Sequence, residues 1–427
     1  MKVIRIAIIG ILVLSCSFAS VLGSVITAAP GKVEFQHLRW RSKTVKIAIS
    51  SSLTRASSNI KTDSDVIGAI RRSLQAWSNA ADLDLQTEFS DRQNVSPNGP
   101  AGDGVSLITI AQTPENVLFF AKDSDSASAK TRIFFNRKGM ITEADVVLNP
   151  FQQFSTDGTF GTFDLESTLT HEIGHLLGLH HQGVLGATMA ESFARNGTMG
   201  FADFGPRTLA ESDIAAIREL YGAPPEDDDC CGVISGRLVT PAGRPGKGLQ
   251  IWAEESKSGR VIAQAESGTD GTFRMGGLPS GDYSVYWKTK DTLSASSMGE
   301  LGNVKLESAE SKVLNEKIVL RPSDVTVQYL GLNGQLADFG VPLTAGRSYV
   351  VNLGGSDLDA KSAKISFKTP FIKISPFPVA PQEFGEGVSG ISFWVIVDPD
   401  IPAGQYSIFV NGKNGALSCL IGALSVE

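Results

Sequence analysis

Four of the chain's five histidines fall within eleven residues, His171 to His181, in the run H-E-I-G-H-L-L-G-L-H-H. His171 and His175 are four residues apart, so on an α-helix they share one face and both imidazoles reach one metal ion. Glu172 sits on the same turn, beside such an ion rather than on it. Gly178 has no Cβ and lets the chain break from the helix and come back with His181 as a third imidazole. Three neutral imidazoles around Zn²⁺ leave the fourth tetrahedral position to water, the layout of a catalytic rather than a structural zinc site. Zinc lowers the pKa of that water to about 7, and Glu172 stands where it can take the proton. The chemistry implied is metal-assisted hydrolysis.

The flanking sequence supplies elements to hold these groups. Asp164 is a good N-cap for a helix starting about Leu165, with Leu165, Leu169, Leu176 and Leu177 toward a core and His171 and His175 toward a cleft. Upstream, Val45 to Ile49 alternates as a strand does, and Asp63 or Ser64 can cap a helix. That helix carries Val66, Ile67, Ile70, Leu74, Trp77 and Ala81 at helical spacing, with Trp77 as a core anchor. Val105 to Ile110, Val117 to Ala121 and Ile141 to Leu148 read as strands, the last after a turn at Arg137-Lys138-Gly139. Phe151 to Thr162 and Glu191 to Pro206 read as loops, and Thr208 to Tyr221 as a final helix.

The full pattern H-E-x-x-H-x-x-G-x-x-H, with Met189 in G-A-T-M-A-E eight residues past His181, resembles the metzincin zinc peptidases. The spacing is similar to that of the matrixin branch, the group of the matrix metalloproteinases and their bacterial relatives. A-I-R-R-S-L-Q-A-W-S-N-A-A-D-L resembles the first long matrixin helix, M-I-T-E-A-D-V-V-L-N the strand before the active-site helix, and D-I-x-x-I-x-x-L-Y-G the close. The likeness runs from about Trp40 to Gly222. It implies an α+β zincin-like catalytic domain and a zinc endopeptidase acting on a protein or peptide. His171, His175 and His181 would hold one catalytic zinc, Glu172 would be the general base, and Met189 the hydrophobic floor rather than a ligand. Val117 to Ala121 would be the sheet edge that takes an extended substrate through backbone hydrogen bonds. Residues 191–206 would wall the pocket for the residue after the scissile bond, through Phe193, Phe201 or Phe204.

Two departures from the animal matrixins follow from composition. No cysteine lies between the export signal and the catalytic unit to cap the zinc, and only His37 lies outside the motif to serve a second, structural zinc. Calcium is a second candidate cofactor, with Asp103, Asp123, Asp125, Asp145 and Asp157 in or near loops and no ligand set singled out. His180 misses the ligand spacing and is expected at the surface.

At 427 residues the chain exceeds one compact core, so two to four domains are expected. With 42% hydrophobic and 19% charged residues it is a folding sequence, and a net charge of −7 gives no reason to expect nucleic acid as a partner. Lys2 and Arg5 precede an apolar run, Ile6 to Leu14, too short to span a bilayer. A signal peptide over residues 1–29 is the reading, with small residues near Ala19, Gly23 or Ala29 offering cleavage points. The product is then secreted, or lipid-anchored through Cys16 in the alternative. No other stretch is long enough for a transmembrane helix. Export permits a disulfide between Cys419 and either Cys230 or Cys231; all three thiols unpaired is the other reading.

The expected organisation is a catalytic domain over residues 30–222, a linker over 223–231 containing A-P-P-E-D-D-D, and two all-β sandwiches over 232–321 and 322–427. The first, with turns at Asp270-Gly271 and Ser280-Gly281, resembles carboxypeptidase-regulatory and collagen-adhesin B domains. The second resembles bacterial immunoglobulin-like domains. Both would act as spacers, or attach the protein to substrate, cell surface or matrix. The rival to a secreted endopeptidase is a surface adhesion or binding protein with a vestigial zinc unit. The intact Glu172 favours the enzyme, because holding zinc does not require it.

Overall fold

The structure, a computed structural model, describes residues 38–427 except 56, 96–101, 123, 193, 203–204, 291–296 and 386. The expected signal peptide, Cys16, His37, Asp123, Phe193 and Phe204 lie outside the described residues.

The N-terminal part is a mixed sheet with helices packed on it. Its strands are β1 (Arg39–Trp40), β2 (Thr44–Ser50), β3 (Asp84–Ser90), β4 (Leu107–Thr109), β5 (Ala129–Phe135) and β6 (Met140–Leu148). They run in the order β1-β6-β4-β2-β3, and β5 pairs antiparallel along β6. Helix α1 (Val66–Ala80) buries Ile70, Leu74 and Trp77, as its 3.6-residue spacing requires. Its cap is Asp65, whose carboxylate accepts from Gly68 N at 2.9 Å, not Asp63 or Ser64; Asp63 has a left-handed φ of 71° in the preceding turn. A short helix, α2 (Pro114–Leu118), follows β4. Two short strands, β7 (Phe154–Ser155) and β8 (Phe163–Asp164), lead into α3 (Leu165–Leu176), and α4 (Glu211–Tyr221) closes the unit.

Val117 to Ala121 is not a strand, since α2 runs into it. Thr113 caps that helix through Asn116 N, and Pro114 starts it where no N–H is needed. The sheet edge is β5 instead, which alternates poorly in sequence and so gave no periodic signal. The polar edge strand β3 was hidden for the same reason: its side chains are mostly exposed.

The remainder of the chain is all-β. Strands β9 (Gly232–Val239), β10 (Leu249–Glu255), β11 (Val261–Glu266), β12 (Thr272–Leu278), β13 (Gly281–Thr289), β14 (Met298–Leu306) and β15 (Ser311–Lys317) make two sheets, β11-β10-β13-β14 and β12-β9-β15. Ile234, Ile251, Phe273, Val285 and Trp287 fill the space around them. Strands β16 (Thr326–Leu332), β17 (Val341–Leu343), β18 (Ser348–Ser356), β19 (Lys364–Ser366), β20 (Ile372–Ile374), β21 (Ala380–Glu383), β22 (Ser389–Val397), β23 (Gly404–Asn411) and β24 (Leu417–Val426) make two more.

The acidic stretch between α4 and β9 is not a free tether. Arg218 pairs with Asp227 at 2.6 Å, and Ser280 N donates to Asp229 at 3.3 Å. A separate apolar cluster, with Val184, Ala210, Trp252, Tyr286, Phe409 and Cys419, joins the helical unit to both β units. Cys419 is buried there, and Cys230 and Cys231 are bonded to each other, so the expected bridge from Cys419 is not formed.

Candidate metal centre

Helix α3 starts where the sequence places it: Asp164 accepts from Ser167 N at 2.8 Å, and Arg207 holds the same carboxylate from outside. Leu165, Leu169, Leu176 and Leu177 are fully buried. The same helix meets the sheet edge β5 at Glu172, which accepts from Thr131. Trp77 donates to Thr170 O at 2.8 Å, fixing α1 against α3 halfway along.

The break after the helix is set by sterics. Gly178 has a left-handed φ of 100°, and a Cβ there would stand 2.1 Å from Leu38 O. Trp40 Nε1 donates to Leu176 O at 2.9 Å, and Tyr221 OH to Leu177 O at 2.6 Å, so β1 and the end of α4 hold the last turn open. The chain then returns His181 toward the helix.

The three imidazoles converge. Nε2 of His181 lies 3.1 Å from Nε2 of His175 and 3.2 Å from Nε2 of His171. Nδ1 of His171 donates to Thr188 O at 2.7 Å and Nδ1 of His175 to Leu179 O at 2.8 Å, which aims both Nε2 lone pairs inward. Burial holds all three rings below the usual histidine range: His175 at about 3, His181 at about 4, and His171 well down as well, with the neighbouring imidazoles adding to the effect. They are therefore neutral at pH 7, as ligands must be. A tetrahedral ion with Zn–N of about 2.0–2.1 Å separates its nitrogens by roughly 3.3 Å, close to the spacing seen. Among the described residues this is the group of side chains that could hold a metal ion.

Glu172 is buried beside them. Burial raises its carboxyl to about 7, against the opposing pull of a hydrogen bond from Thr131 and the charge of Lys130. Thr131 Oγ1, on β5, donates to Glu172 Oε2 at 2.5 Å. Met189 is fully buried below the metal helix, with its sulfur against Gly174.

Three contributors were not foreseen. Gly174 admits the Met189 turn: a Cβ there would lie 2.3 Å from Met189 Sδ and 2.8 Å from Trp77. Its signal was present, since a glycine inside a helix costs about 1 kcal/mol relative to alanine and needs a packing reason. Asp213, fully buried on α4, accepts from Thr188 N at 2.8 Å, Ala210 N at 2.9 Å and Met189 N at 3.2 Å. Burial nonetheless raises its carboxyl to about 6. Thr131 gave no signal at all, because its role depends on strand pairing.

Other expected site residues fall elsewhere. Phe201 packs against the core of the last β unit. Asp145 is fully buried in β6, accepting from Leu107 N at 3.2 Å, while Asp103 pairs with Arg92 and Asp157 with Lys61. Asp125 accepts from Ser124 at 3.3 Å, and His180 is exposed.

Comparison with known proteins agrees in this region. Metalloendoproteinase 1 of Glycine max is 48% identical over 67 residues, 15% of this chain and 18% of that protein. Interstitial collagenase of Oryctolagus cuniculus is 25% identical over 207 residues, 48% of this chain and 36% of its own length. The chain thus spans well under half of these relatives. Among solved structures, the major pilin subunit of Bacillus cereus overlaps 46% of this chain and 69% of its own at 13% identity, with a TM-score of only 0.20. Residues 116–222, from α2 through the three histidines to the end of α4, match the model of the peptidase family described as Matrixin.

Proposed function

We propose that the chain is a secreted zinc-dependent endopeptidase that hydrolyses peptide bonds in proteins. The observation that carries this is the convergence of three neutral Nε2 atoms beside the buried carboxyl of Glu172. His171, His175 and His181 would hold the ion. When bound, it supplies Lewis-acid polarisation of the scissile carbonyl and acidifies a water. Glu172 takes a proton from the attacking water and returns it to the leaving amine nitrogen. Thr131 keeps the Glu172 carboxylate in place while it does so. The outer edge of β5 has no strand partner among the described residues, and it can receive an extended peptide through backbone hydrogen bonds. Met189 supplies the apolar floor. Secretion is inferred from the basic and apolar N-terminus, and no helix of the described residues is long and apolar enough to cross a membrane.

The test is Glu172→Ala in the full chain. The variant keeps its zinc, measured by elemental analysis, and loses cleavage of casein. Chelation of the parent with phenanthroline abolishes cleavage and zinc restores it. Casein cleavage by Glu172→Ala at the parent's rate would overturn Glu172 as the general base, whereas a zinc-loaded parent that cleaves nothing would leave the adhesion reading, with an inert zinc unit, as the better one.

A further inference from the structure

A groove of about 760 Å³ opens on the helical unit, lined by β1, the chain just after it and the turn that joins β5 to β6. Five of its eleven lining residues carry positive charge: Arg39, Arg41 and Lys43 on one stretch, Arg137 and Lys138 on the turn. None carries negative charge, in a chain whose net charge is −7. All five cations are exposed. Lys43 pairs with Asp82, and the other four have no ion-pair partner among the described residues. Like charges gathered around one groove repel one another, and an anion between them relieves that repulsion. Three of the five are arginines, whose planar guanidinium groups take a carboxylate in a bidentate fork.

Hydrogen bonds join this groove to the metal helix. Trp40 and Tyr221 line it, and the same two side chains donate to Leu176 O at 2.9 Å and Leu177 O at 2.6 Å at the end of α3. The groove is also continuous with the sheet edge. Arg39 N donates to Gly139 O at 3.2 Å, and the turn that carries Arg137 follows directly on Phe135, the last residue of β5. Thr131, the partner of Glu172, lies four residues before that end. An extended peptide advances about 3.4 Å per residue, so one paired along β5 with its scissile bond at Glu172 passes the end of the strand after roughly four or five residues. Antiparallel pairing is the more stable kind, and it puts the N-terminal side of the peptide at that end. The chain's own flanking segments do not supply the counter-charge. Residues 1–37 hold one acid, Glu34, and in the acidic run after α4 Asp227 pairs with Arg218 at 2.6 Å and Asp229 accepts from Ser280 N at 3.3 Å.

We propose that this groove docks an acidic segment of the polypeptide to be cleaved, about five to eight residues to the N-terminal side of the scissile bond. The substrate half of the proposal rests on the peptidase reading; the groove's affinity for carboxylates rests on its charge alone.

The test gives the full chain two peptides that are identical around the scissile bond, one with glutamates and one with glutamines at those positions. The parent is expected to cleave the glutamate peptide with a kcat/KM about three- to tenfold higher at low salt, the difference lying in KM. Salt at about 1 M shortens the screening length to about 3 Å and should remove the difference. Arg41→Gln with Lys138→Gln should bring the two peptides to parity. Binding of fluorescein-labelled octaglutamate, read by anisotropy, needs no cleavage and should weaken in the double variant by a similar factor. Equal cleavage of the two peptides by the parent, or an acid preference that survives in the double variant, overturns the proposal. So does binding of dextran sulfate with none of octaglutamate, which would assign the groove to an anionic polysaccharide. A parent that cleaves neither peptide yet binds octaglutamate through Arg41 and Lys138 sinks the peptidase reading and upholds the groove as a carboxylate site.

Discussion

The sulfur of Met189 rests on the backbone of Gly174, so close that a Cβ at position 174 would stand 2.3 Å away. Met189 therefore rises beneath the metal helix only because that helix lacks a side chain one residue before His175. Gly174→Ala forces the methionine turn or Trp77 to move. We expect a loss of about 1–3 kcal/mol of stability from overpacking. Weakened zinc retention should accompany it, because Thr188, next to Met189, holds His171. Thermal unfolding and zinc content of the variant are the measurements, and an unchanged midpoint with full zinc would contradict the packing.

Asp213 reaches the same turn from α4. Its carboxylate accepts from Thr188 N, and Thr188 O accepts from His171 Nδ1, so one side chain on α4 orients a ring on α3. An asparagine in its place would keep the shape and lose one acceptor, leaving a backbone N–H unsatisfied. For Asp213→Asn we expect zinc affinity to fall by about 10–100-fold, the usual range for a group that orients a ligand. Competition with a chromophoric chelator reads this directly, and equal affinities would remove Asp213 from the site.

Thr131 donates to Glu172 at 2.5 Å across the cleft. Thr131→Val preserves the volume and removes the donor from a buried carboxylate. A hydrogen bond to a charged group contributes about 1.5–3 kcal/mol, so kcat/KM should drop by roughly tenfold to a hundredfold. Zinc content should be unchanged, and Thr131→Ser should recover most of the rate. A valine variant as active as the parent would make the contact incidental.

Glu254 offers a pH test away from the metal. Burial raises its carboxyl from 4.5 to about 7, and Trp252 Nε1 donates to it at 2.9 Å. Between those values the native state keeps a proton that the unfolded chain has released, so this group makes stability fall as pH rises from about 4.5 to 7. Glu254→Gln has no proton to lose. The unfolding midpoint of the variant should therefore gain on the parent's across that window and run parallel above it. A constant gap at every pH would show that Glu254 does not titrate there.

The histidine run was legible because helical periodicity is local: four residues bring two rings to one face whatever the rest of the chain does. The Asp164 cap, the Trp77 stripe and the Gly178 break were readable for the same reason, each resting on one residue's own sterics or hydrogen bonding. Helix α2 was misread as a strand although Thr113 and Pro114 announced it, because a short apolar run outweighed the cap. Strand β5 and its Thr131 could not be found from periodicity, since a strand's role as an edge depends on what fails to pair beside it. Tertiary structure alone decided that Asp213 lies under Met189, that Cys419 is sealed in a junction of three units, and that Met199 is held by Asn333 and Gln335. These contacts join residues tens to more than two hundred positions apart. No spacing rule encodes them, because they exist only once separate cores have formed and packed together.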